Sequence, residues 1–383
     1  VNRPLESIRV LDLGISTAGP YAARFLADLG AEVIKIEPLD GENARKLGLR
    51  YGGVGYLYHV NNYNKKSIAL QIQHKRGREI LLDLVARSDV VIENFACGTM
   101  DKWCVGYTAC RDRNPSIIYA SAKGFGETGP LRERRAFDTV VQAMSGVMAV
   151  TGAPEDPPVK AGPSVCDLMT AALGAMAVTA AIAAREPGQS QFLDCAMFDM
   201  GAWSLLPLWP DALDPDGGLV ERTGNRHPRH AAFGSYPCQD GSLFVTATTD
   251  AHAQSLATLL HVSDGADRGA RIDASLAEWA QARGVLDAAE QLQQRGIPAA
   301  PVWDLTELRN SDLLAERGMV RTHDHPSYGA VPLVQSPIAR QDFGGPGVWR
   351  DQPLLGQHTA EIIGGLLGRG EELQDLLDAR VIG

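Results

Sequence analysis

The sequence predicts an α/β chain, with a parallel β-sheet covered by helices on both faces and a smaller mixed domain after it. Three observations predict this. Short apolar runs alternate with helix-spaced segments through the first 200 residues. A cluster of Trp203, Pro207, Trp209, Pro210, Pro215 and Gly217-Gly218 then breaks that rhythm. A length of 383 residues is enough for two domains of about 150 residues each, and 45% hydrophobic against 21% charged residues is an ordinary globular balance.

Ile8–Leu13 reads as a short buried strand and Gly14 to Pro20 as a turn, with Pro20 suited to a first helical position. Tyr21–Leu29 has helical spacing and stops at Gly30, a C-terminal cap. Ala31–Glu37 is the second strand, closed by Pro38. Ser67–Gln71, Val90–Glu93, Ser116–Ser121 and Gln191–Ala196 continue the strands, and Arg76–Arg87, Phe137–Val150 and Leu168–Arg185 the helices. Past the break, Asp240-Gly241 turns into the strand Ser242–Ala247. Helical stretches follow at Ala251–Leu260, Leu276–Ala282 and Val285–Arg295, and Gly296-Ile297-Pro298 leads into Ala299–Trp303. The expected divisions are a large domain over 1–200, a small α+β domain over 220–310 and a C-terminal return over 311–383.

A net charge of −10 without a lysine/arginine-rich run argues against a nucleic-acid groove, although a local basic patch suffices for an anionic cofactor. Six scattered cysteines, with no C-x-x-C pair, argue against a disulfide scaffold or structural zinc and suit a reducing compartment. Val1–Arg9 lacks the pattern of a secretory signal. Leu168–Ala184 is apolar enough to raise the question of a membrane span. Its alanine content, internal Thr170, Gly174 and Thr179, and the stop at Glu186-Pro187-Gly188 read instead as a buried core helix. A soluble, cytoplasmic protein without membrane or nucleic-acid partners is expected.

The Gly14–Pro20 turn joins a strand to a helix start, whose free N–H groups and dipole suit a phosphate or carboxylate. Glu37 ends the next strand, where a Rossmann protein keeps its ribose-binding acid, but Gly14 and Gly19 do not make G-x-G-x-x-G. Asp167 directly precedes the helix expected at Leu168 and reads as its N-cap, which makes Asp167→Ala cost roughly 1 kcal/mol. The same helix-start N–H groups would hold this carboxylate ionised and stabilise an oxyanion formed on it, a setting for a nucleophile. Glu93-Asn94-Phe95 closes an apolar strand at the ligand-binding edge of such sheets. The loop from Lys123 to Arg132, Arg134 and Arg135 is a second basic candidate for phosphates. Asn225–His230 is rich in nitrogen donors without metal-ligand spacing.

Read together, Val10–Leu13 with Ala18-Gly19-Pro20, Leu29–Glu37, Lys65–Ile68, Asp89–Phe95, Ser121–Gly126, Gln142–Gly152, Gly162–Asp167, Gly296–Pro298 and Pro353–His358 resemble the class III CoA-transferases. That family includes formyl-CoA transferase and carnitine CoA-transferase and is related to alpha-methylacyl-CoA racemase. The resemblance covers nearly the whole chain in the family's order. It implies movement of coenzyme A from an acyl-CoA to a free carboxylic acid through an aspartyl-CoA thioester on Asp167, with neither metal nor nicotinamide. It carries CoA contacts onto Thr17, Ala18, Leu70, Gln73, Asn94, Phe95, Lys102 and Arg135, and places the acidic Asp138 close to Asp167. Thr17, Pro38 and Gln73 differ from the formyl enzyme's glutamine, arginine and lysine, and Asn225–His230 lacks its glycine run. It further implies a Rossmann-like large domain completed by the C-terminal return, and an interlocked homodimer. Two alternatives follow: an acyl-CoA racemase or epimerase, and a CoA-binding protein without turnover. A racemase needs two bases, and Phe137 stands before Asp138 where racemases carry a histidine.

Overall fold

The computed structural model describes residues 3–216, 220–227, 230, 232–340 and 350–383. Val1–Val147, Lys160–Pro207 and Ala315–Gly383 form one compact unit, and Met148–Val159 with Leu208–Leu314 a second. Met148–Val159, expected with the large domain, packs in the second unit. There Arg222 donates to the carbonyls of Ala149, Ala153 and Asp156, and the Gly224 N–H to that of Gly152.

The first unit runs β1 (Arg9–Asp12), α1 (Ala18–Asp28), β2 (Glu32–Glu37), the small hairpin β3 (Arg50–Tyr51) and β4 (Val54–Gly55), α2 (Tyr56–Asn62) and β5 (Lys65–Ala69). It continues with α3 (Lys75–Val85), β6 (Val90–Glu93), α4 (Thr99–Lys102), α5 (Tyr107–Arg113), β7 (Ile118–Lys123), α6 (Asp138–Met144), α7 (Val165–Ala183), β8 (Gln191–Ala196) and α8 (Met197–Ser204). Six parallel strands form one sheet in the order β5-β2-β1-β6-β7-β8. The order reverses at β1, as in doubly wound nucleotide-binding sheets. Successive residues face opposite sides of a strand, so each central strand feeds two cores. Val10, Val33, Ile92 and Ile118 pack with α1 and α7. Leu11, Ile34, Val91 and Tyr119 pack with α3 and the C-terminal residues Ile362, Leu376 and Ile382.

The helix ends follow local chemistry. Helix α1 begins at Ala18, so Pro20 takes its third position rather than its first, still within the turn whose N–H groups lack intrahelical acceptors. It ends with Gly30 at φ 103°, the Gly30 N–H bonding Ala27 O and the Ala31 N–H bonding Leu26 O. Helix α7 is long and apolar enough to span a membrane. Its buried stripe of Cys166, Thr170, Ala171, Gly174, Ala175, Val178 and Ala181 packs inside the first unit, while Met176 is 62% exposed on the other side. It is thus the expected core helix, buried along one stripe.

In the second unit, after α9 (Trp209–Leu213), come β9 (Phe233–Pro237), β10 (Ser242–Thr246), α10 (Asp250–Leu259), α11 (Arg268–Gln281), α12 (Val285–Gln293) and β11 (Ala299–Pro301). The three strands pair antiparallel in the order β11-β10-β9. Tyr236, Leu243, Val245, Leu256, Ile272, Leu276 and Leu292 fill the core beneath them. The C-terminal segment adds the hairpin β12 (Val320–His325) and β13 (Gly329–Val334) to the first unit. It finishes beside β5, where Leu70 pairs with Ile382 and the Gln71 N–H bonds Val381 O.

Candidate active site

The β1–α1 turn is held on every side by side chains from distant elements. The Gly14 N–H bonds Asp12 Oδ1 at 2.8 Å, and Lys35 Nζ donates to Gly14 O. The Asn94 amide grips Ile15 at both ends, accepting from its N–H at 2.7 Å and donating to its carbonyl at 2.8 Å. The Ser16 N–H bonds Glu42 Oε2 at 2.9 Å, and Asn61 Nδ2 donates to Ser16 O at 2.8 Å. Ser16 sits at φ 61°, a left-handed conformation that a serine keeps only where its surroundings enforce it.

Four fully buried charges underlie this turn. Lys65 Nζ donates to Asp12 Oδ2 at 2.7 Å, Pro20 O at 2.7 Å and Asn62 Oδ1 at 2.9 Å. Lys35 lies 3.6 Å from the same Asp12 oxygen and 3.3 Å from Glu42. Burial pushes the Lys65 ammonium down to about 8, since Asp12 offsets it only in part and Lys35 adds like charge. Burial would raise the Asp12 carboxyl, but the two ammonium groups outweigh it and hold the group below its ordinary range.

Beside the turn, at the carboxyl ends of β1, β2, β5 and β6, lies a cavity of about 220 Å³. Leu70, Gln73 and Phe95 line it, as do Ile72, Pro38 and Trp103. Phe95 and Trp103 meet edge to face at 5.1 Å, so an aromatic corner faces an aliphatic wall, a surface suited to a flat heterocycle and a pantetheine chain. Thr17 is the N-cap of α1, partly exposed and without a side-chain cap bond. Ala18, the first residue of α1, is buried and lines a small void between α1, α7 and the sheet. Asn94 is committed to Ile15. Lys102 at the end of α4 and Arg135 before α6 are exposed cations.

Three sequence candidates are occupied within the protein. Lys123 is buried against Glu93, donating to both carboxylate oxygens and to Phe95 O at 2.6–2.7 Å, so the basic loop keeps only its arginines. Glu37 pairs with Arg45 and accepts from Ser67, and is no free acceptor for a ribose. Arg226 pairs with Asp273, while Pro228 and Arg229 of the same loop lie outside the described residues.

Asp167 is not the helix cap. Helix α7 starts at Val165, with Ser164 as an N-cap that makes no side-chain bond. Asp167 is the third helical residue, half-buried, and no side-chain donor among the described residues bonds its carboxylate. The cap comes from another helix: Asp138 Oδ1 accepts the N–H of Cys166 at 2.9 Å and that of Asp167 at 3.1 Å. The N–H groups expected to serve Asp167 are therefore spent on Asp138. Burial, with the Asp138 charge added, pushes the Asp167 carboxyl up to about 6. A poorly compensated carboxylate that still ionises at neutral pH is a competent nucleophile. Because α7 precedes the parallel strand β8, its N-terminus and Asp167 lie at the same sheet edge as the cavity.

Sequence reasoning missed Ile72 and Gln142 as site residues. An aspartate and a glutamine four residues apart on a helix are a recognisable hydrogen-bonding pair, and this signal was present in Asp138 and Gln142.

A family model described as CoA-transferase family III matches residues 5–359. The chain is 36% identical over 381 residues to a succinyl-CoA:mesaconate CoA-transferase of Haloarcula marismortui, covering 94% of this chain and 95% of that protein. It is 34% identical over 399 residues to a succinyl-CoA–D-citramalate CoA-transferase of Chloroflexus aurantiacus, covering 99% and 98%. A solved structure of a CAIB/BAIF family protein from Brucella suis superposes with a TM-score of 0.83 at 30% identity, over 96% of this chain and all of that one.

Proposed function

The chain belongs to CoA-transferase family III, and from that premise we propose that it exchanges coenzyme A between succinyl-CoA and a second dicarboxylic acid, with Asp167 as the nucleophile. The observation that carries the proposal is the half-buried Asp167 carboxylate at the head of α7, without a side-chain donor among the described residues, its proton affinity raised by burial and by Asp138. The relatives named above, both acting on succinyl-CoA, support the substrate class.

The chemistry needs no other group on the protein to change its covalent state. The Asp167 carboxylate attacks the succinyl thioester carbonyl; CoA thiolate leaves and a mixed anhydride remains. The thiolate attacks the Asp167 side-chain carbonyl, freeing succinate and forming the aspartyl-CoA thioester. The acceptor carboxylate attacks this thioester, again expelling thiolate, which takes the new acyl group and restores Asp167. Each step exchanges one acyl bond for another, so activation is retained through the covalent intermediate. Leu70, Ile72, Phe95 and Trp103 would bind the carrier, and Lys102 and Arg135 its phosphates. Phe137, 78% exposed at the start of α6, cannot carry a proton and supplies no second base for racemisation.

Incubating the protein with succinyl-CoA and isotopically labelled mesaconate, citramalate, glutarate and oxalate tests this. Labelled acyl-CoA should form from at least one of these acids without ATP, and hydroxylamine should trap a hydroxamate on the Asp167 peptide. Exchange confined to monocarboxylic acids would remove the substrate assignment, and an unmodified Asp167 peptide the mechanism.

We also propose the interlocked homodimer implied by the family. Phe137, Met176, Trp203 and Leu206 of the first unit are exposed large apolar side chains that a second copy would cover. Sedimentation should give twice the 41.1 kDa of one chain; a single-chain mass at micromolar concentration overturns the proposal.

A further inference from the structure

We propose, resting on the transferase reading, that Gln142 is a positioning residue for Asp167: it fixes the Asp138 carboxylate that occupies the first N–H groups of α7. Gln142 lies one turn after Asp138 on α6 and is 0% exposed. Burying a primary amide is unfavourable unless its donors and acceptor are satisfied, and here they are. Its Nε2 donates to Asp138 Oδ2 at 2.6 Å and to Pro163 O at 3.3 Å, and its Oε1 accepts from the Ala161 N–H at 2.9 Å. Exchanging the amide's oxygen and nitrogen would set an acceptor against Asp138 and a donor against the Ala161 N–H, so its orientation is determined.

The consequence passes through Asp138 to the nucleophile. With Oδ2 held by Gln142, Oδ1 faces α7 and takes the N–H groups of Cys166 and Asp167. Remove that hold and the Asp138 carboxylate is free to turn away from the start of α7. That relieves Asp167: its neighbour's charge moves off, and a helix-start N–H becomes available to its own carboxylate. Asp167 then becomes less basic and a weaker nucleophile. Other ionisable groups on the adjoining segments leave this relation in place. The Cys166 thiol on α7 is pushed by burial up to about 11 and stays neutral. Asp199 on α8 is raised by burial and by Asp194, and Lys160 is exposed, its amine 3.5 Å from Ala161 O.

Two variants test this, each followed by the rate of hydroxylamine-trapped adduct formation against pH and by ¹³C-carboxyl titration of Asp167 without substrate. Gln142→Leu should lower kcat about 100-fold with little change in KM for the acyl-CoA, and should move the Asp167 titration down by about one pH unit. In Gln142→Glu a protonated acid donates to Asp138 as the amide does, whereas an ionised one repels it. That variant should match the wild type near about pH 6 and lose about tenfold or more by about pH 8.5, reversibly, while the wild type rises about twofold and levels off as Asp167 completes its ionisation. This reversible high-pH loss separates positioning from misfolding, because a folding defect would not recover on acidification. A Gln142→Glu profile parallel to the wild type, or an Asp167 titration unmoved in both variants, overturns the proposal. Should the wild type form no adduct while its Asp167 titration still responds to both substitutions, the transferase reading falls and the Gln142 coupling stands.

Discussion

Asp167→Ala is expected to lower CoA transfer by about 10⁴- to 10⁶-fold, the range seen when a covalent nucleophile is removed, and to abolish the hydroxylamine-trapped adduct. The fold should not suffer. The cap of α7 is supplied by Asp138, whose bonds to the Cys166 and Asp167 backbones survive the substitution. The Asp167 carboxyl titrates near 6 in the folded chain, above its ordinary value. Its ionisation therefore disfavours the folded state as pH rises from about 4 to about 6, and removing it should raise stability at neutral pH by on the order of 1 kcal/mol. Activity of the wild type moves the opposite way, falling about tenfold for each pH unit below about 6 as the nucleophile takes up a proton. A pH–rate profile together with urea midpoints for both proteins checks all three statements. A stable Asp167→Ala protein that retains a tenth of wild-type transfer would remove Asp167 from the chemistry.

The second large effect is on stability. Asp12→Ala should destabilise the first unit by about 3–5 kcal/mol, the range for breaking a buried ion pair from one side. It leaves Lys35 and Lys65 fully buried with the carboxylate between them deleted, and removes the acceptor of the Gly14 N–H. Because the Asp12 carboxyl titrates lower folded than unfolded, its contribution is complete above about pH 4 and fades as pH falls below that. Urea unfolding at neutral pH measures the loss. A shift below about 0.5 kcal/mol, the range of ordinary surface substitutions, would show that the ammonium groups find other partners.

The parallel sheet was legible because its strands are short apolar runs punctuated by Gly30, Pro38 and helix-spaced segments, and Val90–Glu93 and Gln191–Ala196 fall at the expected positions. Helix starts were less legible. At α7 the expected aspartate cap was displaced by Asp138, a carboxylate 29 residues away in sequence, and no local pattern reports such a partner. Charged residues misled in the same way. Lys123, Glu37 and Arg226 have the chemistry of ligand contacts, yet each is taken up by a partner that only the folded chain brings near. The apolar wall of the cavity was half legible: Leu70 and Phe95 came from the family resemblance, whereas Ile72, just past the end of β5, became evident only once the folded chain set it beside them.

The grip on the β1–α1 turn bears on the order in which the protein can be assembled. Its six backbone contacts draw on Asp12, Lys35, Glu42, Asn61 and Asn94, so the turn reaches its shape only after those stretches have converged. Closing such loops is entropically costly and belongs to the slower part of folding. A fragment holding β1 and α1 has the right residues and lacks the conformation, so the lip of the cavity cannot be transplanted as a short peptide or grafted onto another scaffold without the strands that brace it.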